Sequence, residues 1–353
     1  MPVKSFEPIN VSTDVTTTRT FLHEVIPITG SIISGTYSDN NIKNYTHGMF
    51  QSVFDYPFLS SSANHIFDIS MGYAGTSAIS ASANVQGVKK VNMYTEFAQV
   101  LLGYTGSDNS IRVFESDLLL DQTGSMRECF FVNFSRLLTK DEIKKNSFSI
   151  TLGSGSYGGN SAPGNATFSP TVTLQDAKAR INGDGVTNTV GGDYGVLFSN
   201  SAGTGDGLGV VFYQAGIAVI TASVFGTMAD FAKHPTHGNQ TTQQAFTGSS
   251  MTGSIEAFRR RIQNISFNNT TEVNSTIYFC RAPANKFNYS SNPTYVSGSK
   301  IRVKNVASDN PVAYVTTVGL YNAQNELLAV AKLSEPLKKS IDNELTIRVR
   351  LDY

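Results

Sequence analysis

The sequence contains no tryptophan, only two cysteines and few charged residues. Charged side chains make up 15% of its 353 residues, whereas about 25% is usual for a soluble protein. Lysine and arginine together number 27, as do aspartate and glutamate, so the formal net charge is zero. This balance argues against a nucleic-acid partner, which would require a basic excess. A weakly charged surface is also poorly protected against association, which favours a component of a larger assembly.

The two cysteines, Cys129 and Cys280, are too few for a disulfide framework or a cysteine-rich metal site. Both lie in apolar, strand-like runs, so we expect buried free thiols. No apolar run approaches the ~18 residues of a membrane-spanning helix. The first 21 residues contain no apolar segment typical of a secretory signal. We therefore expect no membrane partner and a protein made in a cytoplasm-like compartment.

Alternating apolar residues and frequent glycines predict a mainly β fold with a few short helices, built from antiparallel sheets or sandwich-like domains. At roughly 100–200 residues per domain, the length suggests two or three domains. We predict an N-terminal arm at residues 1–20 and a mixed α/β domain at 21–152. A glycine-rich β insertion is predicted at 153–253, and an antiparallel β domain at 254–353.

The clearest helix is predicted within residues 88–104. Its apolar residues recur at the spacing of one helix face, namely Tyr94, Phe97, Ala98, Leu101 and Leu102. Gly103 follows, where a left-handed capping residue is expected. We interpret the stripe as a core-packing face. Thr139–Glu142 has the spacing of a capping box, which predicts a second short helix, and Ser254 is the predicted start of a third.

Strict alternation in Leu345–Tyr353 predicts a terminal strand with one buried face. The runs before and after Asn322–Glu326 suit a hairpin with a loop of that length, and Pro336 indicates the next turn before the terminal strand closes the same sheet. The apolar run at 208–226 predicts strands joined by a tight turn. A hairpin with a polar connection is expected at 265–282.

One stretch matches a dinucleotide-binding motif in its glycines alone. Gly153, Gly155 and Gly158 follow a strand-like run, and Asp176 lies at a plausible distance for a ribose contact. The motif requires a helix after its third glycine, and residues 159–164 are poor helix formers. We therefore predict a flexible Gly/Ser loop and no cofactor.

A histidine pair, an oxygen-rich turn and an arginine run each have a structural explanation that requires no ligand. His234 and His237 lie in a polar loop expected at residues 234–254, so we predict no resident metal, with a metal shared between subunits as the alternative. The oxygen-rich turn around Asp184 lacks the terminal glutamate of a calcium loop. Arg259–Arg261 are expected on a solvated or interfacial surface, because consecutive helical residues point in different directions.

Nucleophile-elbow, phosphate-loop and zinc-protease motifs are absent from the sequence. We therefore predict no catalytic, cofactor-binding or metal-binding residues and no enzyme activity. The sequence leaves open whether two carboxylates form a pair suited to glycoside hydrolysis, because the distance between them in the folded protein is the criterion.

Both ends of the chain resemble virion structural proteins of tailed bacteriophages. At the C-terminal end the likeness lies in FNYSSNPTYVSGSKIRVK (287–304), in YVTTVGLYNAQNELLAVAKLSEPLKKS (314–340) and in IRVRLDY (347–353). Towards the N-terminus it lies in residues 35–70 and in KKVNMYTEFAQVLLG (89–103). The likeness is greatest to contractile-tailed, myovirus-like phages and covers the glycine-rich middle less clearly. It implies a tail or baseplate component and carries over no catalytic residues.

The residues and the resemblance together predict a non-enzymatic structural component of a phage virion, most readily a baseplate wedge protein. Expected partners are other tail proteins and copies of itself, in a homo-oligomer or a hetero-assembly formed in the host cytoplasm. One alternative is a carbohydrate-binding, host-attachment β module or fibre adaptor. A binding module should present an exposed aromatic platform, and the lack of tryptophan weighs against it. A second alternative is a capsid or a neck and collar protein.

Overall fold

Antiparallel strands dominate the computed structural model, with 47% strand and five short helices, which confirms the predicted mainly β class. The structure describes the residues that follow: 6–30, 39–81, 85–104, 112–114, 126–139, 141–158, 167–180, 186–205, 207–226, 228–234, 238–248, 251–289, 296–297, 300–301 and 310–353. Two compact units are formed, one by Met1–Phe21 with Glu272–Tyr353 and the other by Leu22–Thr271. This division differs from the four predicted segments, whose boundaries at 152/153 and 253/254 fall inside a strand and a helix.

The α-helices of the described residues are α1 Val11–Asp14, α2 Val85–Leu102, α3 Arg136–Thr139, α4 Thr242–Thr247 and α5 Met251–Arg261. The strands are β1 Val15–Gly30, β2 Ile42–Asn44, β3 Phe50–Phe54, β4 His65–Tyr73, β5 Glu128–Phe134, β6 Glu142–Ile143, β7 Ser149–Gly158, β8 Thr167–Gln175, β9 Val186–Thr189, β10 Gly192–Leu197, β11 Gly209–Phe212, β12 Ile217–Thr221, β13 Ala232–His234, β14 Gly238–Gln240, β15 Ile262–Ala282, β16 Val296–Ser297, β17 Lys300–Ile301, β18 Val312–Tyr321, β19 Leu327–Ser340 and β20 Leu345–Asp352.

The larger unit is organised around an eight-stranded antiparallel sheet in the order β2-β3-β4-β5-β12-β11-β10-β9. Its inner strands are buried on both faces, because successive side chains of a strand point to opposite sides. On β5, Phe130 and Val132 belong to one apolar cluster, whereas Cys129 and Phe131 belong to another. The predicted tight turn is confirmed by the pairing of β11 with β12, in which Phe212 faces Ile217.

Helix α2 covers one face of this sheet and confirms the predicted helix. Gly103 ends it with a φ of 101°, and its N–H donates to the Gln99 carbonyl at 3.1 Å. Phe97 stacks on Phe131 with ring centroids 4.1 Å apart. The other predicted stripe residues, Tyr94, Ala98, Leu101 and Leu102, are buried in the same cluster. The stripe is therefore a core-packing face.

The other face of the sheet is covered by β7, β8, the first part of β15 and the two helices α4 and α5. Phe258 of α5 stacks on Phe130 of the sheet, with ring centroids 4.2 Å apart. In the covering layer Ile150 of β7 pairs with Ile265 of β15, and Thr151 pairs with Thr173 of β8. Both layers contribute to one continuous apolar cluster.

Residues 265–282 form part of one long strand, so the predicted hairpin with a polar connection is wrong. Asn269 and Thr270 are buried, and they pair with Ile143 and Glu142 of β6. The Asn269 side chain also donates from Nδ2 to the Leu138 carbonyl at 2.7 Å. The polar residues of this stretch thus find partners far along the chain, which keeps the strand continuous.

Two other local predictions are also wrong. Thr139 ends α3 and Glu142 begins β6, so the capping-box spacing opens no helix there, because Glu142 takes Thr270 as a strand partner. The predicted polar loop at 234–254 contains β14, α4 and the start of α5. A capping box does open α4: the Gln244 N–H donates to the Thr241 hydroxyl at 3.1 Å, and the Thr241 N–H donates back to Gln244 at 2.9 Å.

The smaller unit joins the two ends of the chain. The terminal strand β20 pairs with β15 from Ser275–Asp352 to Ala282–Leu345. The alternation predicted for it is confirmed, although its partner is β15 and the hairpin β18–β19 forms a separate two-stranded sheet. Within the predicted arm at residues 1–20, helix α1 begins at Val11 and strand β1 follows from Val15. Arg281 Nε lies 2.8 Å from Asp14 Oδ1 of α1 and ties it to β15.

The predicted hairpin around Asn322–Glu326 is confirmed, whereas the predicted turn at Pro336 is wrong. Thr317 pairs with Lys332 and Val315 pairs with Leu337, so four residues of β19, from Leu333 to Pro336, face one residue of β18. Proline lacks the N–H needed for a continuous ladder and is tolerated at such a bulge. The strand therefore continues past it to Ser340.

A buried lysine joins α2 to the end of α4. Lys90 is fully buried, and its ammonium group donates to the carbonyls of Ala245, Phe246 and Gly248 at 3.2, 2.6 and 2.9 Å. The last carbonyls of a helix have no partner within it and attract positive charge. Lys90 therefore satisfies the C-terminal end of α4, although burial lowers its pKa to about 8.

We expect Lys90→Met to lower the free energy of unfolding by about 2–4 kcal/mol, because three buried carbonyls lose their donor. Lys89→Met is the matched control: Lys89 donates to the His47 carbonyl at an exposed site, and its loss should cost less than about 1 kcal/mol. Urea unfolding followed by far-UV circular dichroism measures both. Equal losses in the two variants would contradict the role assigned to Lys90.

Candidate functional site

The glycine motif lies within a strand and does not precede a helix. Gly153 pairs with Thr171 and Gly158 with Thr167, so β7 continues through the motif. A dinucleotide site would need a helix N-terminus directed at the pyrophosphate. The predicted flexible loop is therefore wrong for residues 153–158. Asp176 does not accompany the motif as a ribose ligand, because its carboxylate is buried and bonded to other groups.

The backbone of this glycine tract binds a buried guanidinium. Arg261 Nη1 donates to the carbonyls of Gly153 and Gly155 at 2.7 and 2.8 Å. Its Nε and Nη2 donate to the carbonyls of Phe231 and Asp230 at 2.9 and 2.8 Å. The planar fork of arginine places several N–H groups at fixed angles and so satisfies several acceptors at once. Arg261 thus connects the end of α5, strand β7 and the segment that leads into β13.

Aromatic rings surround this guanidinium. The rings of Phe168, Phe231 and Phe225 have centroids 4.7, 5.2 and 5.7 Å from its central carbon. Cation–π contacts of this kind stabilise an arginine that is removed from water. The site resembles an internal clamp, since Arg261 itself is fully buried and offers no open position to a ligand.

The predicted solvated or interfacial surface at Arg259–Arg261 is wrong for Arg259 and Arg261. Arg259 is 4% exposed and Arg261 is 0% exposed, because both side chains project from α5 into the unit. Arg260 instead forms a short ion pair with Glu256, one turn earlier on the helix.

A second buried polar cluster centres on Asp176. Its Oδ2 accepts from the Asn146 N–H at 2.6 Å and from the Tyr213 hydroxyl at 2.9 Å, and its Oδ1 accepts from the Phe148 N–H at 3.1 Å. Asn146 has a φ of 61°, so the carboxylate holds a turn in the left-handed region. Glycine at position 195 leaves room for this hydrogen bond, since a Cβ there would lie 2.0 Å from the Tyr213 hydroxyl oxygen and would displace it.

Burial raises the pKa of Asp176 to about 6, although its hydrogen bonds with Tyr213 and Asn146 oppose that change. Burial also raises the pKa of Tyr213, and the Asp176 charge raises it further. Lys145 lies over the Tyr213 ring and forms a short ion pair with Asp193. Perturbed groups of this kind mark functional sites in some proteins. Here each oxygen of the carboxylate is directed at a backbone N–H or at Tyr213, an arrangement that stabilises a turn.

A third group of hydrogen-bonded polar side chains connects Tyr45, which follows β2, with β3 and β4. The Ser52 hydroxyl donates to Asp68 Oδ1 at 2.5 Å, and His65 Nε2 lies 2.9 Å from the same oxygen. Tyr45 and Ser52 are also joined through their hydroxyls at 3.2 Å. An activated serine requires the imidazole between the hydroxyl and the carboxylate. Here the Asp68 carboxylate lies between the Ser52 hydroxyl and the His65 imidazole, so the order of the groups is not that of a nucleophilic triad.

The metal-binding predictions are tested only in part. His234 ends β13 and pairs through its backbone with Gly238, while His237 and Asp184 lie outside the described residues. Among the residues that are described, no three His, Cys, Asp or Glu side chains are grouped to hold a metal ion. Both cysteines are free thiols; Cys129 is buried as predicted, and Cys280 is half-buried. None of the described helices has the length and apolar content needed to span a bilayer.

Several exposed apolar side chains are grouped on the hairpin β18–β19 in the smaller unit. We define the hairpin patch as Phe6, Tyr321, Leu327 and Val330, each between 41% and 56% exposed. The Phe6 and Tyr321 rings meet edge to face at 5.1 Å. Tyr321 pairs with Leu327, and Val330 pairs with Gly319 one step along the same face.

The base of this hairpin is anchored by a buried lysine. Lys339 pairs with Ala313 and is 0% exposed. Its Nζ donates to Asn288 Oδ1 at 2.6 Å and to the carbonyls of Ser340 and Ala284 at 2.8 and 3.3 Å. The loop end is ordered by Asn322, whose Oδ1 accepts from the Glu326 N–H at 2.8 Å. The hairpin is thus held at both ends, while most of its length is exposed.

No protein-family model, curated protein or solved structure matches this chain. The candidate sites therefore rest on the geometry of the chain alone. The clusters around Arg261 and Asp176 are internal, whereas the hairpin patch faces solvent.

We expect Arg261→Met to lower the free energy of unfolding by about 3–5 kcal/mol, because four buried carbonyls lose their donors. Arg261→Lys should recover only part of this loss, since a single ammonium group cannot reproduce the fork. Arg260→Met is the control and should cost about 0.5 kcal/mol, the value of a helical ion pair. Denaturant unfolding measures all three; full recovery by lysine would contradict the clamp.

The buried Asp176 predicts a specific dependence of stability on pH. Its pKa in the folded protein is about 6, above the ordinary value of 3.8. Its contribution to stability is therefore fully present below about pH 4 and is lost as the pH rises through about 6, a change of about 3 kcal/mol. Asp176→Asn removes this titration. The difference in unfolding free energy, wild type minus variant, should fall between about pH 4 and pH 7; a pH-independent difference would contradict the assignment.

Proposed function

We propose that this chain is a non-enzymatic structural component of a tailed-bacteriophage virion, with its place in the tail baseplate. The observation that carries the proposal is the hairpin β18–β19, which is anchored at its base, exposed along its length and apolar at its loop end. In the virion this hairpin contacts neighbouring subunits. The partners are other tail proteins and copies of the chain.

The physical argument begins with the stability of a hairpin. A two-stranded hairpin is marginally stable in water, and a third strand or a packed layer is usually needed. In β18 and β19, Ala313 and Lys339 are the buried residues, so the hairpin contributes little apolar burial of its own. The hairpin patch combines aromatic and aliphatic side chains without a charge, a composition typical of the centre of an interface. Contact with a neighbour would bury it.

The sequence supports the same proposal from an independent direction. The likeness to phage virion proteins covers residues 314–340, which contain the hairpin, and residues 347–353, which lie in β20. The weakly charged composition fits a subunit whose surface is covered by neighbours. A carbohydrate-binding module would instead present open aromatic faces. The rings of Tyr45, His47 and Phe50 pack against one another, and Lys43 lies 4.9 Å from the Tyr45 ring centroid. In the hairpin patch the Phe6 and Tyr321 rings meet edge to face.

Mass spectrometry of purified virions tests the proposal. We expect peptides of the chain in particles banded on a density gradient, at a stoichiometry comparable to other tail proteins. Tails separated from heads should retain them, which distinguishes a baseplate component from a capsid protein. Absence from the particles, with the protein present in the infected-cell lysate, would overturn the proposal.

A further inference from the structure

The hairpin β18–β19 has two outer edges, and within the described part of the chain each strand pairs only with the other. An unpaired edge presents a row of N–H and C=O groups that can accept another strand. Proteins usually protect such edges with charged residues, proline or bulges. The two edges of this hairpin differ in that protection.

The β19 edge carries all three kinds of protection. It contains Lys332, Glu335 and Lys338, and its bulge at Leu333–Pro336 includes a proline. The β18 edge carries neither charge nor proline from Ala313 to Tyr321. It is therefore the open edge of the hairpin, nine residues long and rich in β-branched and aromatic side chains, which are the residues that favour strand pairing.

We propose that Ala313–Tyr321 pairs antiparallel with the same segment of a second copy of the chain, which joins two hairpins into one four-stranded sheet. The inference deepens the proposed function, on which it rests, by naming the first partner of the hairpin. Backbone hydrogen bonds would supply the contact, as in other cases where a strand is added to an exposed edge.

The charges of the hairpin favour this partner. Lys332 and Lys338 both lie on β19, so an acidic partner strand would be drawn to that edge. In the order β19-β18-β18-β19 the lysines of the two copies are separated by three strand spacings, about 14 Å. This exceeds the Debye length of about 8 Å at physiological salt, so their repulsion is screened. Pairing through β18 thus keeps the like charges of the two copies apart.

The side chains of β18 are compatible with pairing against themselves. In antiparallel self-pairing each residue near the two-fold axis faces itself or a near neighbour, so a charged residue would meet its own charge. With the axis at Thr317, Thr316 faces Val318 and Tyr314 faces Leu320. Aromatic and β-branched residues that face one another across strands stabilise a sheet. Thr316 and Thr317 are both exposed, because the register shift after Val315 reverses the alternation there.

Thr317→Glu is the variant that separates pairing from folding. Within the hairpin residue 317 faces Lys332, so glutamate there is compatible with the folded hairpin. In the paired form it meets its own copy. Thr317→Gln is the matched neutral control. Sedimentation velocity of the full chain over a wide concentration range should show a dimer for wild type and Thr317→Gln. The dissociation constant of Thr317→Glu should rise by about tenfold or more, the effect of a repulsion of about 1.4 kcal/mol.

Hydrogen exchange locates the contact and reports on folding. Amides of Ala313–Tyr321 should gain protection with concentration in the wild type, while those of β20 should be equally protected in all three proteins. A wild type that is monomeric at every concentration, a Thr317→Glu that associates as the wild type does, or protection gained on β19 instead would overturn the inference. A monomer found in virions would overturn the pairing alone. A dimer absent from virions would overturn the proposed function alone.

Discussion

The buried guanidinium of Arg261 is the interaction on which the larger unit depends. An arginine removed from water needs acceptors for its N–H groups, and here four backbone carbonyls supply them. Those carbonyls belong to β7 and to residues 230–231, so the end of α5 can be buried only where these two segments meet. The requirement explains the glycine tract: a Cβ at Gly153 would lie 2.4 Å from the Phe168 ring that covers the guanidinium. A stretch whose composition suggests a loop is therefore held as a strand.

Periodic apolar patterns allowed the elements that depend on local sequence to be predicted. Helix α2, the pair β11–β12 and the hairpin β18–β19 follow from spacing and turn residues alone. The errors at β15 and β6 share one cause, which is a polar residue whose partner lies far along the chain. Asn269 donates to the Leu138 carbonyl, and the long strand β15 continues where its polar residues predicted a turn. Local sequence contains no signal for such a partner, so the interior of β15 and the start of β6 could not be predicted.

The candidate sites also divide into those that local sequence predicts and those that depend on partners distant in sequence. The hairpin could be recognised from sequence because its loop, its alternation and the lack of charge in β18 are all local features. The internal clamps could not, since a lysine in a helix or an arginine at its end is exposed in most proteins. Only the three-dimensional meeting of α2 with the end of α4 makes Lys90 a buried donor. A T-x-x-Q pattern at Thr241–Gln244 was the one local signal available for that region, because it marks where α4 begins.

Some of the few charged residues are buried, which bears on how the surface is protected against association. The chain has 27 basic and 27 acidic residues, 54 in all, and the buried ones include Asp14, Lys90, Glu142, Asp176, Arg259, Arg261 and Lys339. Charge that is used internally to satisfy carbonyls and turns does not protect the surface. These seven side chains are therefore not available to protect the surface. The hairpin gives an example. Lys339, which anchors it, is buried at its base, whereas the edge from Ala313 to Tyr321 carries no charged residue. The same use of charge that stabilises the fold thus leaves one strand edge open to association.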